Sequence, residues 1–196
     1  MLPLLEKPQI LDIGCGCGIP TIELARLSQG KVTGIDIDQS ALDRFAGRIQ
    51  EAGLADRVQA LYCSMADMDF APESFNIIWT EGSIYAIGFA NGLQEWKRFL
   101  TPNGFLVIHD EQGNIREKCD QITCCGYELI GEFRLSTQTW RKEYFIPLEK
   151  LVTGYQARVT NNPKVLEEIA QAQGELDMFK ENPERNSSVY FVMLKH

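Results

Sequence analysis

The 196-residue chain predicts a doubly wound α/β fold, a parallel sheet with helices on both faces, and three observations carry that prediction. Residues 9–25, QILDIGCGCGIPTIELA, join a short apolar run, a glycine-rich turn and a helical pattern. Ile10, Leu11 and Ile13 make that run long enough for a central parallel strand covered on both faces. Short strand-like runs then alternate with helical stretches through most of the chain, the order of a sheet built from crossover connections.

Within the first unit, Asp12 interrupts the strand just before the turn, and Gly14, Gly16 and Gly18 let backbone amides approach a ligand. Pro20, followed by Ile22, Leu24, Ala25 and Leu27, opens a helix whose amino end points back at that ligand. A dinucleotide turn needs G-x-G-x-x-G, but here the third glycine falls one residue early and Ile19 stands in its place. Asp12 would also repel a pyrophosphate and favour a ligand carrying positive charge. S-adenosylmethionine is such a ligand, with an ammonium, a sulfonium and no phosphate. The pattern D-x-G-x-G-x-G at residues 12–18 resembles the first motif of the class I S-adenosylmethionine-dependent methyltransferases.

Residues 31–36, KVTGID, follow as a second strand ending in Asp36, which lies 22 residues after Gly14. That is close to the spacing at which an acidic residue accepts both hydrogen bonds of a ribose diol. The resemblance places Ile37 on the adenine face. Ser40 is the expected N-cap of a helix over residues 41–52, with Leu42, Phe45, Ala46 and Ile49 on one face and Gly53 as the stop. Residues 58–63 read as the third strand. The region after it resembles the one in which the family encloses adenine, but Ser64 stands where an adenine-binding Asp is usual. Met65 and Asp67 are preferred as the adenine contacts, and the choice between Ser64 and Asp67 stays open.

Residues 75–80, FNIIWT, form the fourth strand, beside the first at the point where chain order reverses. Ligands of open α/β sheets sit at the strands' carboxyl ends there, so Thr80, Glu81, Gly82, Ser83, Ile84 and Tyr85 should line the floor beside the methyl group. This chain has WTEG where nucleic-acid and amide methyltransferases often carry an N/D-P-P-aromatic tetrapeptide, which disfavours that subclass. A helix is expected over residues 89–100, a TPNG turn at 101–104 and a fifth strand at 105–110. The run QEWKRFLTPNGFLVI resembles methyltransferases of the ubiquinone and menaquinone biosynthesis group. His109 and Asp110 end the fifth strand and face the same crevice. A helix over 112–125, a sixth strand over 126–135, one or two charged helices within 163–183 and a last strand over 188–194 complete the pattern. The resemblance makes this a Rossmann-like, seven-stranded, mostly parallel sheet whose last strand inserts antiparallel between the fifth and sixth. Trp140, Tyr144, Phe145 and Pro147 form an aromatic stretch before a helix, where similar runs border the substrate pocket.

A hydrophobic content of 44% supports a sizeable core, and no repeat or linker divides the chain, so residues 1–196 are expected to form one domain. The net charge of -8 disfavours a nucleic-acid surface. No apolar run approaches a membrane span, and the start, MLPLLEKPQ, lacks a leader pattern, so a soluble cytoplasmic protein is expected. The six cysteines, at 15, 17, 63, 119, 124 and 125, contain no C-x-x-C pair and lie far in sequence from both histidines. No metal site is therefore expected, and a thiol-dependent arsenic methyltransferase is the one cysteine-based function kept in view. Only residues 1–8 precede the first strand, where the family commonly places a lid helix. Either the lid is missing, or it is supplied elsewhere, as in a homodimer in which a second subunit covers the pocket.

The reading is a methyltransferase that uses S-adenosylmethionine on a small-molecule acceptor. Asp12, Gly14, Cys15, Gly16, Gly18, Asp36, Ile37, Ser64, Met65, Asp67 and Thr80 are its expected cofactor residues. Glu81, Tyr85 and His109, in that order, are candidates for a general base if the acceptor must lose a proton. The rivals are a protein that binds S-adenosylmethionine or S-adenosylhomocysteine without catalysis, and a nucleotide-dependent oxidoreductase, which the glycine spacing and Asp12 disfavour.

Overall fold

Strand β1, Gln9–Ile13, is buried from its second residue onward and forms the centre of the sheet. The computed structural model describes residues 2–157, 162–183 and 187–196. The chain continues as α1 (Ile19–Ser28), β2 (Lys31–Asp36), α2 (Gln39–Glu51), β3 (Val58–Tyr62), β4 (Phe75–Glu81), α3 (Phe89–Trp96), β5 (Leu100–Glu111), α4 (Ile115–Cys124) and β6 (Tyr127–Leu135). Then come α5 (Thr137–Trp140), a π-helical turn (Arg141–Phe145), α6 (Ile146–Gln156), α7 (Pro163–Glu181) and β7 (Ser188–Lys195). The strands stand in the order β3-β2-β1-β4-β5-β7-β6, parallel through β5, with β7 antiparallel between β5 and β6. This is the Rossmann-like sheet expected.

The register sets the site. Asp12 pairs with Gly34 on one side and Trp79 on the other, Ile13 with Ile35 and Thr80, and Glu81 with His109. The carboxyl ends of β1, β2, β4 and β5 therefore finish together along one edge. Ile10, Ile22, Val32, Phe45, Ile49 and Ile77 belong to the core beneath it. Residues 2–8 form no helix, and Leu2 and Leu5 pack against that core.

Several boundaries differ from the sequence reading for local reasons. The cap of α2 is Asp38, not Ser40: its carboxylate accepts the Ala41 N–H at 3.1 Å and starts the helix two residues earlier. Helix α3 stops at Trp96 and tightens into a 3₁₀ turn, Lys97–Phe99. The TPNG segment does not precede β5 but sits inside it. Leu100 pairs with Phe75 and Phe105 with Ile77, so β5 carries an excursion whose Asn103 adopts φ 60°. Helix α4 begins only at Ile115, after Asn114 in the left-handed conformation.

The chain divides into two compact units, Met1–Phe133 with Tyr190–His196, and Arg134–Val189. In the second, the aromatic stretch is itself helical rather than a prelude to a helix. The π turn that carries Tyr144 and Phe145 ends just before Pro147, which lies in the first turn of α6 and has no N–H to give to the preceding turn. Phe145 stacks on Phe179 at 3.8 Å between ring centres, and the Trp140 indole N–H donates to Ser188 Oγ at 3.0 Å.

Candidate active site

The glycine turn is tied to β2 by its own backbone. Gly14 and Cys15 N–H both donate to the Ile35 carbonyl, at 2.9 and 3.0 Å. Gly16 N–H donates to Asp36 Oδ2 at 2.8 Å, and Asp38 N–H to Oδ1 at 2.9 Å. Each Asp36 oxygen thus has one fixed partner and keeps acceptor capacity for a diol. The three glycines do different work. A Cβ at Gly14 would stand 2.4 Å from Ser83 Oγ, and one at Gly18 would stand 1.9 Å from the Phe45 ring. At Gly16, where φ is +52°, a Cβ would meet nothing within 4 Å, so this glycine faces open space.

Asp12 is 2% exposed and accepts a hydrogen bond from the Thr21 hydroxyl at 2.6 Å. Burial pushes its carboxyl up from 3.8 to about 7, with Glu81 and Asp36 adding to the rise and Thr21 opposing it. A cationic ligand would relieve that cost. The Cys15 side chain turns into the core, where burial first, then Asp12 and Asp36, raises its thiol; only its backbone belongs to the turn. Ile37 projects from the end of β2 and is 64% exposed.

After β3 the chain makes a short turn. Asp67 N–H donates to the Ser64 carbonyl at 3.1 Å, and the Ser64 hydroxyl accepts the Ala66 N–H at 3.3 Å. The Met65 carbonyl accepts the Trp96 indole N–H at 3.3 Å, and its methyl lies 3.7 Å from the position of a Gly14 Cβ. Asp67 is exposed. Thr80 is fully buried, its hydroxyl donating to the Ile13 carbonyl at 2.9 Å and meeting Ser83 Oγ at 2.7 Å. Its bonds brace the end of β1 rather than reach into the crevice.

The other half of the edge is built from side chains. The Glu81 carboxylate accepts the Trp79 indole N–H at 2.8 Å, and its charge acts on the Tyr190 phenol of β7. Burial, then that charge, keeps the phenol protonated. Tyr190 stacks on His109 at 4.3 Å between ring centres, with Trp79 at 5.9 Å. Burial lowers the His109 pKa against the opposing pull of Glu81 and Asp110. Asp110 instead pairs with Lys118 of α4 at 2.7 Å. Tyr85, in the 3₁₀ turn Ile84–Ala86, is 80% exposed. Trp79 and Tyr190 escaped the sequence reading. The two-residue period of β4 already placed Trp79 beside Glu81, whereas Tyr190 needed the insertion of β7 next to β5.

S-adenosylmethionine fits this arrangement. Buried Asp12 would favour its positive end, the Asp36 oxygens keep acceptor capacity for a diol, and a Cβ at Gly16 would meet nothing within 4 Å. Residues 10–104 match the family described as a methyltransferase domain. A 27-O-demethylrifamycin SV methyltransferase of Amycolatopsis mediterranei (strain S699) is 32% identical over 111 residues, covering 56% of this chain and 41% of that protein. Methyltransferase GfsG of Streptomyces halstedii is 33% identical over 103 residues, 52% of this chain and 37% of that protein. The chain thus spans under half the length of these curated relatives. An S-adenosylmethionine-dependent methyltransferase from Geobacter sulfurreducens, solved with S-adenosyl-L-homocysteine, superposes with a TM-score of 0.74 at 17% identity, over 98% of this chain and 86% of that one. Motif spacing, sheet order and the match over residues 10–104 agree in making this chain similar to the class I S-adenosylmethionine-dependent methyltransferases.

Proposed function

We propose that the chain transfers a methyl group from S-adenosylmethionine to a small-molecule acceptor by in-line displacement. The observation that carries this reading is the bond from Gly16 N–H to Asp36 Oδ2, which makes the glycine turn and the ribose-binding carboxylate one rigid cradle. When bound, the cofactor supplies a methyl group on a sulfonium. Asp12 balances the cofactor's positive end, and Asp36 accepts from its ribose. Met65, with Asp67 or Ser64, borders the adenine, and Ile37 supplies an apolar edge beside it. The rest is proximity, the holding of acceptor and methyl group in line, which is worth up to about 7–11 kcal/mol where the geometry is good. Glu81, Tyr85 and His109 stand on the acceptor side, where one of them takes a proton if the acceptor must lose one. Among the described residues no helix is long and apolar enough to cross a membrane.

Calorimetric titration with S-adenosylmethionine and S-adenosylhomocysteine, beside NAD, tests the cofactor. Micromolar binding of the first two and none of NAD is expected. Transfer of labelled methyl to pools of small molecules then separates an enzyme from a protein that binds without catalysis.

A further inference from the structure

We propose that the acceptor is a basic amine, and that Glu81 is the counter-charge for its nitrogen, positioned by Trp79. This rests on the methyltransferase reading above.

Glu81 ends β4, beside the end of β1 from which the glycine turn departs, and is half-buried. The neutral Trp79 indole holds its carboxylate without cancelling its charge, and the Tyr190 ring packs beside that indole. Among the described residues no lysine or arginine forms an ion pair with it. The titratable groups facing it are Asp12 from β1, His109 from β5 and Tyr190 from β7. Asp12 adds negative field when ionised, burial disfavours a charge on His109, and Tyr190 holds its proton. The rings of Trp79, Tyr190 and His109 lie together beside the carboxylate. A fixed, unpaired carboxylate backed by aromatic faces is an environment for a cation.

The chemistry places a cation there. The free amine, its extra proton already lost to solvent, donates its nitrogen lone pair to the methyl carbon. The carbon–sulfur bond breaks, and its electron pair remains on sulfur as a neutral thioether. The positive charge leaves sulfur and appears on nitrogen, opposite Glu81. A hydroxyl or thiol acceptor would create no such lasting charge.

The test uses the whole chain and two readouts. In calorimetry with S-adenosylhomocysteine present, tetramethylammonium should bind at least tenfold tighter than tert-butanol, its neutral isostere. Glu81→Gln should abolish that preference while S-adenosylhomocysteine still binds, which also shows that the variant is folded. With labelled S-adenosylmethionine and a panel of amines, alcohols, phenols and thiols, the amines should be methylated. Trp79→Phe should lower kcat/KM for the amine about tenfold, and Glu81→Asp should recover part of the loss in Glu81→Gln. Equal binding of the two probes, or transfer to hydroxyl or thiol acceptors that Glu81→Gln leaves intact, overturns the amine assignment and spares the methyltransferase. No binding of S-adenosylhomocysteine by the parent chain overturns both.

Discussion

Between β1 and β3 the carboxyl edge is held by backbone groups. The amides of Gly14, Cys15, Gly16, Asp38 and Cys63 reach carbonyls or the Asp36 carboxylate on β2. Between β4, β5 and β7 the same edge is held by side chains, with the Trp79 indole on Glu81 and the Tyr190 ring stacked on His109. Backbone bonds survive most substitutions, whereas side-chain bonds change with each residue. Substitutions in each half should therefore separate into effects on fold or cofactor and effects on acceptor.

The largest expected effect lies in the backbone-held half. Gly18 precedes α1 at φ 76°, and a Cβ there would overlap the Phe45 ring. Gly18→Ala combines overpacking with left-handed strain, about 2–5 kcal/mol in all. At roughly 2–4 °C per kcal/mol for a chain of this size, thermal denaturation should show a fall of roughly 5–20 °C. An unchanged midpoint would mean that the turn relaxes away from α2 without cost.

If Asp12 holds the cofactor's cationic end, its effects on stability and on binding should run oppositely with pH. Its folded carboxyl lies at about 7 against 3.8 unfolded, so the folded state holds the proton more tightly. The stability this contributes is complete below about pH 4 and is lost as pH rises to 7 and beyond. Asp12→Asn should therefore stabilise the ligand-free protein at pH 8, by up to about 4 kcal/mol for a shift of this size. It should also weaken S-adenosylmethionine binding more than tenfold. In the parent chain that binding should tighten between pH 6 and 8 as Asp12 ionises, which calorimetry across the range would show. A flat profile would remove Asp12 from the cationic end of the site.

Asp36→Ala removes the carboxylate proposed to accept from the ribose hydroxyls and frees the Gly16 and Asp38 amides. A charged hydrogen bond is worth about 1.5–3 kcal/mol, so cofactor affinity should fall at least tenfold. Unchanged affinity would leave Asp36 as a purely structural link between β2 and the glycine turn.

What the sequence disclosed follows the same division. The strand, turn and helix around Asp12, and β2 ending at Asp36, depend on neighbours within about 25 residues, and periodicity and glycine spacing reach that far. The excursion in β5 was harder, because TPNG is ordinary turn chemistry and only pairing with β4 shows that the strand resumes in register on both sides of it. Helicity at 137–145 is missed when Trp140, Tyr144, Phe145 and Pro147 are read together as an aromatic stretch before a helix. Their spacing, continued through Leu148 and Val152, is helical. Tyr190 stands 109 residues from Glu81, and no local signal joins them.

The smallest effect sharpens the comparison most. Gly16 shares its turn with Gly18 and also has a positive φ, yet a Cβ there meets no protein atom. Gly16→Ala keeps the N–H that holds Asp36 and adds only a methyl group pointing into open space. Left-handed strain alone costs about 1–2 kcal/mol, so the midpoint should fall by only a few degrees, far less than for Gly18→Ala. If the cofactor occupies that space, the methyl group should cost more than tenfold in S-adenosylhomocysteine affinity, out of proportion to the change in stability. Were affinity to follow stability instead, the space beside Gly16 would be solvent. The two alanine variants, measured by calorimetry and thermal denaturation side by side, thus divide one turn into a glycine kept by packing and a glycine kept for a ligand.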